Sequence, residues 1–364
     1  MGDETYGGKP PKIKVLLVDD SPTALALLGK MLAETPDIVV VGEAKNGVEA
    51  LELIPRIDPH VVCTDLHMPV MDGLDMTKEI MDKYPRPILV VSVSVREGSK
   101  NIFHLMEAGA LDVFPKPRGG EKAEFLRQSN ELANRIRILA GVHVFRVCRN
   151  GAVKPVWAPP SAVAIPRVET PLIKVVVIGA STGGPQALQR VLCGLPLNFP
   201  APVICIQHIG EGFLKGLAEW LESVCVHKIE IAREGTLPEA GKVYFPPEEA
   251  HLLFDNGGRF KYSRDIPYNG HRPSITATFT SAAERYGSNA LGVLLTGMGS
   301  DGADGLKAIF DANGITIAQD ERTSVVFGMP KRAAELGAAR NILPLDEIAP
   351  MIISYISFNV RAGQ

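Results

Sequence analysis

The sequence predicts an α/β protein of two domains, each built on a doubly wound, mostly parallel sheet. Three observations carry that reading. Short runs rich in Val, Ile and Leu alternate with helix-like segments along most of the chain; this is the pattern of βαβ units whose sheet is buried on both faces. The 364 residues suffice for two or three domains of about 100–200 residues each. Prolines 155, 159, 160, 166 and 171 then interrupt the alternation. Proline at that density resists helix and central strand alike, so the stretch reads as a semi-extended linker.

In the first half the strand-like runs are KVLLVDD, DIVVVGEA, HVVCTD, PILVVSVS and LDVFPKP. Helices are expected over 22–34, 47–56, 74–83 and 99–109, and an amphipathic one over 121–139. After Pro171 the runs are KVVVIGA, APVICIQHI, HKIEIA, KVYFP, HLLFD, RFKYS, ALGVLLTG and GITIAQ, with helices expected over 184–193, 213–223, 274–286, 302–312 and 330–337. KVYFP, HLLFD and RFKYS, with DNGG between the last two, read as a hairpin excursion. The expected domains are 12–135 and 172–357, joined by a linker over 136–171.

A hydrophobic content of 46% with net charge −3 is that of an ordinary globular protein and gives no support to nucleic-acid binding as the main task. The polar start MGDETYGGKPPK lacks a signal-peptide core. No apolar run approaches the roughly 18 residues of a membrane span, so no membrane insertion is expected. Five cysteines without a C-x-x-C, several inside apolar runs, read as buried reduced thiols of a cytoplasmic protein.

Asp19 and Asp20 end the first strand and Asp65 the third. In a doubly wound sheet the carboxyl ends of the strands line one crevice. Three carboxylates there repel one another unless a cation joins them, and a hard divalent ion suits all-oxygen ligation. Ser92 and Lys116 end the fourth and fifth strands. A hydroxyl, an ammonium and a metal suit a phosphoryl group, with one aspartate as its acceptor. A lone strand-end aspartate reads as a helix cap; five matched positions favour the phosphoryl pocket. The segments VDDS, TDLHMPVMDG, VS and PKP resemble the response-regulator receiver domain. The resemblance implies a flavodoxin-like (βα)5 fold with Asp65 as phospho-acceptor and Ser92 and Lys116 as switch residues. It also implies Mg²⁺ held by Asp19, Asp20, Asp65 and the His67 backbone carbonyl.

In the second half GASTG at 179–183 satisfies G-x-S-x-G. The physical sense is a strand-to-helix elbow that presents the Ser181 hydroxyl beside a helix N-terminus. A glycine-rich turn after a first strand also opens nucleotide-binding folds, although neither G-x-G-x-x-G nor G-K-[ST] is present. Serine needs a base, and His208 ends the next strand; a base needs an orienting carboxylate, and Asp301 follows a third apolar run. Taken singly, His208 reads as a structural hydrogen-bonding residue and Asp301 as a helix cap. Three triad residue types at three strand ends favour hydrolysis.

The segments IGASTGGP, QHI, HRPS, LLTGMGSDGADG and DERTSVVFGMP resemble the catalytic domain of the bacterial chemotaxis protein-glutamate methylesterase (CheB) family. The resemblance implies Ser181 as nucleophile, His208 as general base and Asp301 as its orienting residue, with Thr182 and the Met298 backbone around the oxyanion. It further implies demethylation, and deamidation, of chemoreceptors that serve as substrate and docking partner. A chemotaxis histidine kinase would be the phosphodonor, and the esterase reaction itself would need no cofactor. His271 and Arg272 are open between receptor contact and local packing, and His251 reads as structural. Two rival readings are a nucleotide-binding module and a phosphorylation-dependent docking or transcription protein; the latter calls for a basic helix-turn-helix, which the sequence does not display.

Overall fold

The computed structural model describes residues 12–92, 99–117, 122–142, 144, 172–268 and 270–361. Of the expected linker over 136–171, residues 143 and 145–171 lie outside the described ones, while 136–140 continue the helix Lys122–Ala140, so the first unit runs past the expected boundary at 135. The chain forms two compact units.

In the first unit β1 (Ile13–Val18), β2 (Ile38–Ala44), β3 (Val61–Thr64), β4 (Ile88–Ser92) and β5 (Asp112–Pro115) form one sheet in the order β2-β1-β3-β4-β5, and every pair is parallel. The central strands read as unbroken apolar runs because both faces are covered: Val15–Val18 and Val61–Thr64 are buried throughout. The helices are α1 (Pro22–Ala33), α2 (Gly47–Ile57), α3 (Gly73–Lys83), α4 (Ser99–Ala108) and α5 (Lys122–Ala140). Polar caps set three of the starts. Ser21, Asn46 and Asp72 accept from the amides of Ala24, Glu49 and Asp75 at 3.3, 3.0 and 2.9 Å.

The second unit is a seven-stranded parallel sheet. Its strands are β6 (Val175–Ala180), β7 (Val203–Gln207), β8 (Lys228–Ile231), β9 (Lys242–Phe245), β12 (Ala290–Leu294), β13 (Ile315–Gln319) and β14 (Asn341–Leu343), in the order β14-β13-β12-β6-β7-β9-β8. Strand order reverses between β6 and β12, which makes their carboxyl ends the topological switch point. A separate antiparallel pair, β10 (His251–Phe254) and β11 (Phe260–Ser263), forms the hairpin. The helices are α6 (Gly184–Cys193), α7 (Leu214–Val224), α8 (Ile275–Tyr286), α9 (Ala303–Asp311), α10 (Met329–Glu335) and α11 (Leu345–Arg361). Phe254, Phe260, Ile275, Phe279 and Leu306 share a buried cluster with β6, β7 and β12 residues.

Three expectations need correction. KVYFP is not part of the hairpin: Val243, Tyr244 and Phe245 are buried on both faces, and β9 sits inside the main sheet beside β7. Strand β14 and helix α11 were not foreseen. Three residues carry no periodicity, and Pro350 interrupts the apolar spacing of α11, although Ile348, Ile352 and Ile356 are buried. The cysteines are not all reduced. Cys193, ending α6, and Cys225, following α7, form a disulfide with Cα atoms 4.8 Å apart, whereas Cys63 and Cys205 are free and buried. Helices packed side by side brought together residues whose spacing signals nothing. Cys148 lies outside the described residues.

Candidate active site

Strands β12, β6 and β7 are neighbours at the centre of their sheet, and Ser181, His208 and Asp301 all lie beyond their carboxyl ends. Ala180 pairs with Gln207 in register, so Ser181 and His208 are the next residues on adjacent strands. The His208 amide donates to the Ala180 carbonyl at 3.0 Å and the Ser181 amide to the Thr296 carbonyl at 3.0 Å. The elbow is tight. Gly183 has φ 76°, and a side chain there would meet Val325 at 2.6 Å.

His208 Nε2 lies 2.8 Å from Asp301 Oδ2. Asp301 is almost fully buried. It is not the cap of its own helix, because Gly302 caps α9. Its carboxylate crosses instead to the start of α8, accepting from Ser274 Oγ (2.9 Å) and the amides of Ile275 (2.8 Å) and Thr276 (3.0 Å), as well as from the Gly302 amide (3.0 Å). Burial alone would raise its pKa. The hydrogen bond and charge of His208 and the bonds from Thr276 outweigh burial and hold the carboxyl well below the usual carboxylate range. An ionised Asp301 accepts only, so Nε2 is the donor. A neutral His208 then keeps its basic lone pair on Nδ1, which is buried and without a hydrogen-bond partner among the described residues.

The loop after β12 closes on the elbow, where a side chain at Gly297 would meet Ser181 Cβ at 2.6 Å. Met298, next in that loop, is exposed, and Thr182 is buried at the start of α6. The His271 ring stacks on His208, centroids 3.9 Å apart and planes 6° from parallel. Arg272 is exposed, its guanidinium donating to the Arg264 carbonyl at 3.5 Å. His251 Nδ1 accepts from the Ser274 amide at 3.1 Å, a structural contact.

Sequence reasoning missed the supports of this site. Thr296 Oγ1 has one proton to give, with the carbonyls of Thr182 (3.0 Å) and Val326 (3.3 Å) as its acceptors in reach, and it accepts from the Val326 amide (2.9 Å). Gln319 Oε1 accepts from the Thr296 amide at 2.8 Å. Gln207 Nε2 donates to the carbonyls of both Ser181 and His208, each at 2.8 Å. The one available signal was a polar residue closing each apolar run: Gln207, Thr296 and Gln319.

In the first unit one carboxylate oxygen from each of Asp19, Asp20 and Asp65 lies within 4.8 Å of the others, an all-oxygen set that fits a hard divalent cation. Lys116 Nζ pairs with Asp19 Oδ2 at 2.6 Å and Asp65 Oδ2 at 2.9 Å. Burial pushes the Asp19 carboxyl up, against the pull of Lys116. Burial would lower the Lys116 ammonium, but the bonds to Asp19 and Asp65 outweigh it and raise it. Ser92 is buried at the end of β4, and its carbonyl accepts from the Lys116 amide at 2.7 Å. His67 is exposed in the loop after Asp65.

Fold and site define a class: a two-unit protein that joins a receiver-type acidic pocket to a hydrolase-type Ser–His–Asp centre. Residues 15–125 match the family model of the response regulator receiver domain, and residues 176–352 that of CheB methylesterase. A protein-glutamate methylesterase/protein-glutamine glutaminase of Methanospirillum hungatei is 42% identical over 94% of this chain and 98% of its own. One from Anaeromyxobacter dehalogenans is 44% identical over 94% and 96%. The crystal structure of the Thermotoga maritima CheB methylesterase catalytic domain is 40% identical, covering 50% of this chain and 98% of that one, with a TM-score of 0.49. The chain belongs to the CheB family of protein-glutamate methylesterases/protein-glutamine glutaminases. Among the described residues no helix is long and apolar enough to cross a membrane.

Proposed function

We propose that this chain removes methyl groups from glutamyl γ-methyl esters on chemoreceptors, and ammonia from glutamine side chains, with Ser181, His208 and Asp301 as its catalytic residues. The observation that carries the reading is the meeting of these three at the ends of the three central strands, with His208 held on Asp301 at 2.8 Å. Ser181 Oγ attacks the ester carbonyl carbon as its proton passes to His208 Nδ1. The oxyanion develops beside the α6 N-terminus, near the amides of Thr182 and Met298, where positive potential favours it. The Nδ1 proton then moves to the methoxy oxygen, the C–O bond breaks and methanol leaves. Water, deprotonated by His208, attacks the glutamyl-serine ester and frees the γ-carboxylate. From glutamine the same steps release ammonia in place of methanol.

Asp65 is the acceptor of a phosphoryl group from a histidine kinase. Mg²⁺ held by Asp19, Asp20, Asp65 and the His67 carbonyl would supply charge neutralisation for that group. Lys116 already spans two of these carboxylates, and Ser92 adds a hydroxyl at the neighbouring strand end; both then turn to the phosphoryl oxygens. The domains proposed for these roles are residues 12–135 and 172–357.

The test is methanol release from methylated receptor-bearing membranes. Ser181→Ala is expected to abolish it in a folded protein that still takes up phosphate. A folded Ser181→Ala protein keeping a tenth of the activity would overturn the assignment.

A further inference from the structure

We propose that Gln207 is a positioning residue for this hydrolysis: its side-chain amide clamps the nucleophile-bearing elbow to the base-bearing strand end and so sets the geometry of attack. The inference rests on Ser181 and His208 being nucleophile and base.

Gln207 is the last residue of β7 and is 4% exposed. Its Nε2 donates at 2.8 Å to the Ser181 carbonyl and at 2.8 Å to the His208 carbonyl. Both partners are acceptors, so the amide orientation is dictated: only the NH₂ end satisfies them. The Ser181 carbonyl also accepts from the Gly184 amide at 2.7 Å, which fixes the turn from both sides. Glutamine Oε1, by contrast, is buried with no hydrogen-bond partner among the described residues. A buried unpartnered oxygen is destabilising, whereas an apolar side chain here would pack without that cost. The group is therefore held for what its NH₂ does. Gly184 makes the room, since a Cβ there would stand 1.9 Å from Oε1. The third glycine of GASTGGP thus serves the clamp.

The experiment uses the full chain with Gln207→Glu, which keeps the shape but replaces the donors by an acceptor-only carboxylate, and Gln207→Met, which removes the donors without adding a charge. Ser181→Ala is the control. Displacing reacting groups by about 1 Å costs on the order of 100-fold. We expect kcat to fall about 10- to 100-fold with KM within about twofold, and labelling of Ser181 by a fluorophosphonate to slow by the same factor. A folded variant with kcat within about twofold of the parent overturns the clamp. Activity surviving in Ser181→Ala would overturn the underlying triad instead, so the two failures are distinct. Should both Gln207 variants fail to fold, the unmutated protein decides. Its ¹⁵N-labelled Gln207 side-chain protons are expected to exchange at least about 100-fold slower than those of free glutamine. Exchange at the free rate sinks the proposal.

Discussion

The Asp301 carboxylate accepts from the start of α8 and from His208 at once, so replacing it disturbs a helix terminus and a catalytic ring together. Asp301→Asn is expected to lower kcat about 10⁴-fold, because an amide can hold His208 in the wrong tautomer. Stability should follow in a pH-dependent way. The folded carboxyl titrates below its ordinary value of 3.8, so its stabilisation is complete above that value and is lost as pH falls from there towards the folded pKa. Denaturant midpoints of parent and Asp301→Asn should therefore differ at pH 7 and converge as the solution is acidified below 3.8. A gap unchanged by acid would mean the carboxylate carries no linked stability. Cysteine chemistry gives a second residue-level expectation. Burial pushes the Cys63 thiol up to about 12 and raises Cys205 as well. Neither should be alkylated at pH 8 in the native protein, and both should be once it is unfolded, as read by mass spectrometry.

Among elements, the stretch from Asp320 to Gly328 is tied down by the Thr296 hydroxyl at Val326, by Gln319 Nε2 donating to the Thr323 carbonyl, and by the Gly297 backbone. Thr296→Val keeps the shape but leaves the Thr182 carbonyl and the Val326 amide without that partner. We expect a loss of about 1–3 kcal/mol in urea unfolding, together with a lower kcat. Unchanged stability would show that water replaces the hydroxyl. The same elements explain what the sequence made legible. Parallel strands buried on both faces are unbroken apolar runs, and strand ends are where such runs stop, so Ser181, His208, Asp301 and the acidic pocket were readable by position. Helix starts were readable through Ser21, Asn46, Asp72 and Ser274, each with a side chain bonded to the amide three residues on. The cross-strand supports were not, because a glutamine or threonine at a strand end says nothing of which strand lies beside it. β9 was misplaced for the same reason: only the finished sheet order shows that Val243 pairs with Val203.

For the molecule as a whole, the proposed function makes phosphorylation at the acidic pocket a control on the Ser–His–Asp centre. Asp65→Asn is expected to abolish phosphoryl uptake from a small phosphodonor and to leave methanol release unresponsive to that donor, while the parent rises severalfold. A tenfold rise corresponds to about 1.4 kcal/mol of shift between states. A parent protein indifferent to the phosphodonor would refute the coupling. The strand order of the second sheet has a consequence for how the chain reaches its native state. β6 is flanked on one side by β7, which follows it closely, and on the other by β12, which is made only after the whole of β7 to α8. Until β12 arrives, the entirely apolar Val175–Ala180 is an unpaired edge, and closing so distant a pairing is slow. A ribosome stalled before residue 290 would thus release a chain with half a sheet and an adhesive rim. Such fragments are expected to sediment as aggregates, whereas chains extending through β14 stay dispersed.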